Sequence, residues 1–260
     1  MAEIQRIPKS AQRWVANDLL AFNIHIVTED TATFFGTGAN LPESTADPVF
    51  LEHVEPPPGP LLRDTDMVYG SLGALLDEED PSEGSIADFT GDLLSMLQYG
   101  VPGRLLRRLR RIPFQMCGKT VRAEPKISFI ARDHGADLIV HTVKVCSSST
   151  IDPEPRLIAE AIAAFSNWQD IREAAGQDLL HRKEMAGIIM RGTAPTFYKI
   201  PITQDLLQSV GDATYPVQPT IVHKLRTPVQ DVDKYFREGL RTLDNRRVIM
   251  QCFEAFKQCF

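Results

Sequence analysis

The sequence has no uninterrupted apolar run approaching the roughly 20 residues that a membrane-spanning helix requires. Its opening stretch, MAEIQRIPKSAQRW, has no continuous apolar core, so no secretory signal is read there. Cysteine is scarce. Cys117, Cys146, Cys252 and Cys259 form no C-x-x-C pair, and no histidine stands at zinc-site spacing from them. Free thiols in a reducing compartment are therefore expected, which makes the expected location intracellular, cytoplasm or nucleus. An excess of positive charge is also missing. The chain carries 28 Lys and Arg against 34 Asp and Glu, a net charge of −6. That balance excludes bulk electrostatic attraction to nucleic acid but leaves room for a local basic groove. G-x-S-x-G, the P-loop and G-x-G-x-x-G are all absent, which removes the commonest hydrolase and nucleotide-binding signatures. The run Ser147-Ser148-Ser149-Thr150 has no nearby partnered histidine and reads as a loop. There is no internal repeat.

What is present suits a globular α/β protein. The chain has 260 residues and 43% hydrophobic content, enough to bury one sizeable core. RWVANDLLAF predicts a short amphipathic helix, and NIHIV alternates as a strand does. Residues 40–66 hold six prolines and read as an irregular connection with extended character at its end. A short apolar stretch, MVYGSLGALL, precedes the acidic cluster DEEDPSEG, which reads as a solvated loop. In SIADFTGDLLSMLQYG, Ile86, Phe89, Leu93, Leu94 and Leu97 recur at helical spacing, with Ser85 as the expected cap. GRLLRRLRRIP follows and is read as helical, with its arginines spread around the axis.

The centre, Phe114 to Ala175, has the most regular pattern. FQMCG, KISFIAR and DLIVHTVKV read as three short strands, with Asp133 to Ala136 as a hairpin turn between the second and third. DPEPRLIAEAIAAFSNWQDIREAA then predicts a helix, with Pro153 and Pro155 at its start and an apolar stripe through Leu157, Ile158, Ala161, Ile162 and Phe165. MAGIIMRG, PTFYKIPIT and TIVHKL read as further strands, TQDLLQSV as one or two helical turns, and NRRVIMQCFEAFKQCF as a closing amphipathic helix.

Three strands, a lysine at the end of the third, and then a helix make the skeleton of a metal-dependent nuclease centre. Such a centre needs an acid on the second strand and another two residues before the lysine. The carboxylates hold Mg²⁺ and the lysine orients the attacking water. Residues two apart on a strand share a face, so the spacing follows from strand geometry. The stretches AFNIHIV, TFFG, LSMLQYGVPGRLLRR, IPFQMCGKT, DPEPRLIAEAIAAF, GTAPTFYKIPIT and LDNRRVIMQCFEAFK make the sequence resemble the fungal PD-(D/E)XK nuclease-like proteins, a branch of the restriction-endonuclease-like superfamily. The resemblance implies a mixed central sheet flanked by helices. It places a nuclease-like core at residues 85–260 and, packing on that core, an N-terminal extension of helix, strand and proline-rich and acidic loops at residues 1–84.

Carried over residue by residue, the family motif falls on Lys126 for the second-strand acid and on Thr142, Val143 and Lys144 for the acid-x-lysine triplet. Only Lys144 matches. Two ammonium groups near one another repel by roughly 4 kcal/mol at about 4 Å and an effective dielectric near 20, and they repel a divalent cation more strongly. No metal ligand set is expected at the usual place. Glu124 and Glu160 are the acids available for a relocated Mg²⁺ site, with Asp88 and Asp92 on the preceding helix as further donors. Arg104, Arg107, Arg108, Arg111 and Arg122 could line an anion or nucleic-acid surface, or could pair with the acidic loop at Glu78 to Asp80. Lys144 could equally pair with Glu124 or Glu160, and His141 reads as a packed histidine. Three functions stay open: a nuclease-like fold that has lost hydrolysis and serves as a binding or interaction module, an active Mg²⁺-dependent phosphodiesterase with relocated acids, and an enzyme of another class holding a small anion in the emptied cleft. Nucleic acid or another phosphate-bearing ligand is the expected partner.

Overall fold

A computed structural model describes residues 5–36, 40–100, 103–131, 135–144 and 152–259. The expected turn at Asp133 and His134, together with Cys146 and the Ser147 to Thr150 run, lies outside the described residues.

A mixed seven-stranded sheet with helices on both faces forms the centre. In chain order the strands are β1 (Ile24–Glu29), β2 (Arg104–Arg108), β3 (Ile112–Met116), β4 (Lys119–Ala123), β5 (Ile127–Ala131), β6 (Gly135–Val143), β7 (Arg182–Arg191), β8 (Ala194–Thr203) and β9 (Thr220–Leu225). The sheet order is β1-β9-β8-β7-β6-β5-β2, while β3 and β4 form a separate two-stranded ribbon. β1 runs parallel to β9, and β6 runs parallel to β7; the remaining pairs in the sheet are antiparallel. The helices are α1 (Ala16–Ala21), α2 (Thr31–Phe35), α3 (Pro48–Glu52), α4 (Arg63–Asp77), α5 (Glu83–Met96), α6 (Glu154–Ala174), α7 (Gln204–Asp212), α8 (Val232–Glu238) and α9 (Leu243–Phe256).

The strand pattern follows from which faces are covered. β7 is buried without a break from Met185 to Met190, as a central strand with helices on both sides must be. Alternate residues feed two cores. Leu138, Val140, Ile188, Met190 and Phe197 face the layer built by α4, α5 and α9. Ile139, Ile189 and Tyr198 face the layer built by α1, α6 and the β3–β4 ribbon. α6 is 21 residues long and so spans about 31 Å, enough to cross the sheet. Its apolar stripe lies against β6, β7 and β8, and each fully buried Leu, Ile or Phe adds about 1.5–3 kcal/mol. Gly187 on β7 lets α6 approach closely, because a Cβ there would stand 3.0 Å from Leu157.

Four sequence readings change. Residues 104–108 form an extended strand, not a helix. Pairing with β5 decides this: Leu106 turns inward against the α5 layer, while Leu105 turns out. MVYGSLGALL belongs to the 15-residue helix α4, which buries Val68, Tyr69, Leu72 and Leu75 despite its glycines. The proline-rich connection contains α3, whose Pro48 fits a first helical turn. The cap of α5 is Ser82, whose Oγ accepts from the Ser85 amide at 2.9 Å, one turn before the expected position.

Candidate functional site

α5, β2, β5, β6, α6 and β7 follow one another along the chain, with the β3–β4 ribbon inserted after β2. β2, β5 and β6 are successive antiparallel neighbours, and α6 crosses over to bring β7 parallel to β6. The three-strand skeleton expected before the long helix is therefore β2, β5 and β6. The FQMCG segment belongs instead to the ribbon, where Phe114 pairs with Val121.

Lys126 lies immediately before β5 and Lys144 immediately after β6, so antiparallel pairing brings them to the same end of the sheet. The start of α5 stands over that end. Lys126 Nζ lies 3.1 Å from Glu83 Oε2. The Thr142 hydroxyl, fully buried, donates to the Glu83 carbonyl at 3.1 Å. Lys144 Nζ donates to Asp80 Oδ2 at 2.7 Å. Thus Lys126, Thr142 and Lys144 converge on one short segment, Asp80 to Glu83. Two ammonium groups beside a helix N-terminus make a positive local field, and the two carboxylates cancel it. Neither ion pair is buried: Lys144 and Asp80 side chains are 39% and 65% exposed. Pairs of this kind contribute about 0–1 kcal/mol each.

The other acids named from the sequence go elsewhere. Glu160 is on α6, on the opposite face of β6 from Thr142, fully buried against His141 with Oε1 3.2 Å from Nδ1. Its Oε2, His141 Nε2 and the Ser128 hydroxyl are buried and have no hydrogen-bond partner among the described residues. Glu124 lies between two guanidiniums, Arg111 at 3.1 Å and Arg122 at 3.2 Å, near enough for charge pairing but not aligned for a hydrogen bond. Asp88 pairs with Arg108, whose guanidinium lies across α5 at Gly91, where a Cβ would collide with it. Asp92 beside them has its carboxyl pushed up by burial and by Asp88, offset by the Ser71 hydroxyl and Arg108. Of the five arginines read as an anion surface, Arg108, Arg111 and Arg122 thus have carboxylate partners. Arg107 is exposed on the edge strand β2, and Arg104 is half-buried.

Among the described residues, no three His, Cys, Asp or Glu side chains come together as a metal site. At the sheet end the Asp80 and Glu83 carboxylates face the Lys144 and Lys126 ammonium groups, an arrangement that does not fit Mg²⁺. A second polar cluster gathers at Glu154. Tyr198 OH donates to Glu154 at 2.8 Å, and Lys224 donates to the same oxygen at 2.6 Å. Burial first, then the Glu154 charge, raises the Tyr198 hydroxyl well above its usual range, so it stays protonated as a donor. Burial pushes the Cys252 thiol up to about 12, which keeps it an inert core group. A groove of about 650 Å³ lies between α7, residues 214–219 and the β8–β9 cleft, where Arg182, Asp205, Tyr215 and His223 are among its lining. Lys126, Thr142 and Lys144 are not part of it.

No family model matches the chain, and no curated protein matches it. Among the described residues, no helix is long and apolar enough to cross a membrane.

Sequence reasoning offered Asp80 only as a partner for the arginines and left Glu83 out, because DEEDPSEG has the composition of a solvated loop; the structure turns them to Lys144 and Lys126. The usable signal was Ser82-x-x-Ser85, which starts α5 one turn earlier and brings that acidic turn over the strand end.

Proposed function

We propose that this chain is a nuclease-like α/β domain of the restriction-endonuclease-like type that has exchanged metal-dependent hydrolysis for metal-independent binding of a phosphate-bearing partner. The succession of α5, three antiparallel strands, α6 and a parallel fourth strand supports the fold reading. The observation that carries the functional reading is the pair of lysines at one sheet end, Lys126 and Lys144, both reaching the segment whose Glu83 carbonyl accepts from the Thr142 hydroxyl. Two ammonium groups favour an oxyanion at the place where a nuclease of this type needs two carboxylates and a cation. The relocated-acid reading is weaker. Glu124 is held by arginines, and Glu160 is enclosed on the far side of β6. A phosphodiesterase assay with Mg²⁺ and with Mn²⁺, on single- and double-stranded substrates, tests the proposal. We expect no cleavage above that of the Lys144→Ala variant. Cleavage abolished by Lys144→Ala would overturn it.

A further inference from the structure

We infer that the Asp80–Glu83 turn is an intramolecular occupant of this sheet end, an autoinhibitory contact that a phosphate-bearing ligand must displace. The inference rests on the binding reading above and adds its regulation. Each ammonium group is already in contact with a carboxylate: Lys126 with Glu83 at 3.1 Å, and Lys144 with Asp80 at 2.7 Å. The acids arrive on the connector between α4, which ends at Asp77, and α5, which begins at Glu83. That connector is short, and Asp80 and Glu83 differ in how they are held. Asp80 belongs to the connector and is 65% exposed, so its carboxylate can swing away without disturbing a helix. Glu83 is the first residue of α5, and its side chain is 40% exposed. Its carbonyl accepts from the Thr142 hydroxyl, which holds the backbone, while its half-exposed side chain extends beyond that point to Lys126. Ser82 anchors the helix start by accepting from the Ser85 amide, so displacing the carboxylates leaves α5 intact.

The chemistry of the contact is that of a ligand mimic. A carboxylate offers two oxygens to an ammonium, as a phosphate does, but carries only one charge. Exposed pairs of this kind are weak and salt-screened, so a polyanion with several charges within reach of both lysines outcompetes them. The arrangement sets a threshold: monovalent anions are shut out, and ligands with adjacent phosphates are admitted. The shared chemistry is the phosphate oxyanion, whether from a free polyphosphate or from a nucleic-acid backbone.

The test measures binding of two probes, tripolyphosphate and a 12-nucleotide single-stranded DNA, to the full chain without divalent metal. The key variant is Asp80→Asn with Glu83→Gln. A charge-matched control, Asp77→Asn with Glu79→Gln, alters neighbouring acids that are not paired with the lysines. Circular dichroism establishes that each variant is folded. We expect the key variant to bind at least one probe about tenfold tighter than wild type, the control to gain less than twofold, and Lys126→Ala with Lys144→Ala to remove the gain. The probe that responds identifies the source of the phosphate. Lysine-dependent binding that is equal in wild type and key variant would overturn the autoinhibitory contact and leave the binding reading standing. A gain that survives loss of the lysines, or is matched by the control, would overturn it as well. Absence of binding by every protein would overturn both.

Discussion

At the scale of single residues, two lysine neighbourhoods and one buried pair organise the sheet end. Parity along β6 separates them: Thr142 faces α5, whereas His141 faces α6 and meets Glu160. Glu160 has no solvent exposure, and one of its oxygens has no hydrogen-bond partner among the described residues. A buried pair of this kind is weak support for stability while intact and costly when half removed. Glu160→Ala should therefore destabilise the protein by about 1–3 kcal/mol in urea denaturation, since it leaves a buried imidazole nitrogen without its partner. Replacing both residues with apolar ones of similar size, His141→Leu with Glu160→Met, should recover most of that loss. If the single variant costs less than 1 kcal/mol, ordered water rather than His141 satisfies the carboxylate. Lys144 was legible as a strand-end lysine from the β-branched run before it. Its actual partner Asp80, 64 positions away in sequence, was not, because only the docking of α5 brings the two together.

At the scale of elements, legibility tracks periodicity. α6 was readable from its apolar stripe and its prolines, and β7, β8 and β9 from apolar runs bounded by turn residues. β2 was not. Arginines interleaved with leucines suit a helix and an edge strand equally, and only pairing with β5 decides. The arginines on that strand also serve to blunt an exposed sheet edge. One turn binds several elements together. Gly239, at φ +47°, closes α8 where Thr193 of the β7–β8 turn packs against it. A Cβ there would stand 2.8 Å from the Thr193 carbonyl carbon, and the next amide, Leu240, donates to the Thr193 hydroxyl at 3.2 Å. Gly239→Ala should cost about 3 kcal/mol, since it combines a left-handed backbone with a backbone clash. Thermal unfolding measures this, and an unchanged melting temperature would show that the turn relaxes freely.

At the scale of the whole molecule, the residues before α5 pack into the same sheet and core as those after it. The stretch before α5 supplies β1 to the far edge of the central sheet, pairing Ile24 with Thr220. It also supplies Phe34, Phe50 and Tyr69 to the core shared with α5 and α9. Parallel pairing between residues nearly 200 positions apart leaves no local trace in a sequence, so this closure could not be read in advance. The buried Arg246 ties the same two regions, donating to the carbonyls of Phe50 at 2.9 Å and His53 at 2.6 Å. Net negative charge across the molecule confines any polyanion to a local positive site, and the proposed one is the end of β5 and β6 once the Asp80 and Glu83 carboxylates are displaced.

The most direct test of that claim is the salt dependence of single-stranded DNA binding without divalent metal, compared between wild type and Lys126→Ala with Lys144→Ala. If two lysines carry the contact, log K falls with log salt at a slope of about −1.4 in wild type and near zero in the double variant. Equal slopes in the two proteins, or binding that appears only when Mg²⁺ is added, would contradict a metal-independent phosphate site at this sheet end.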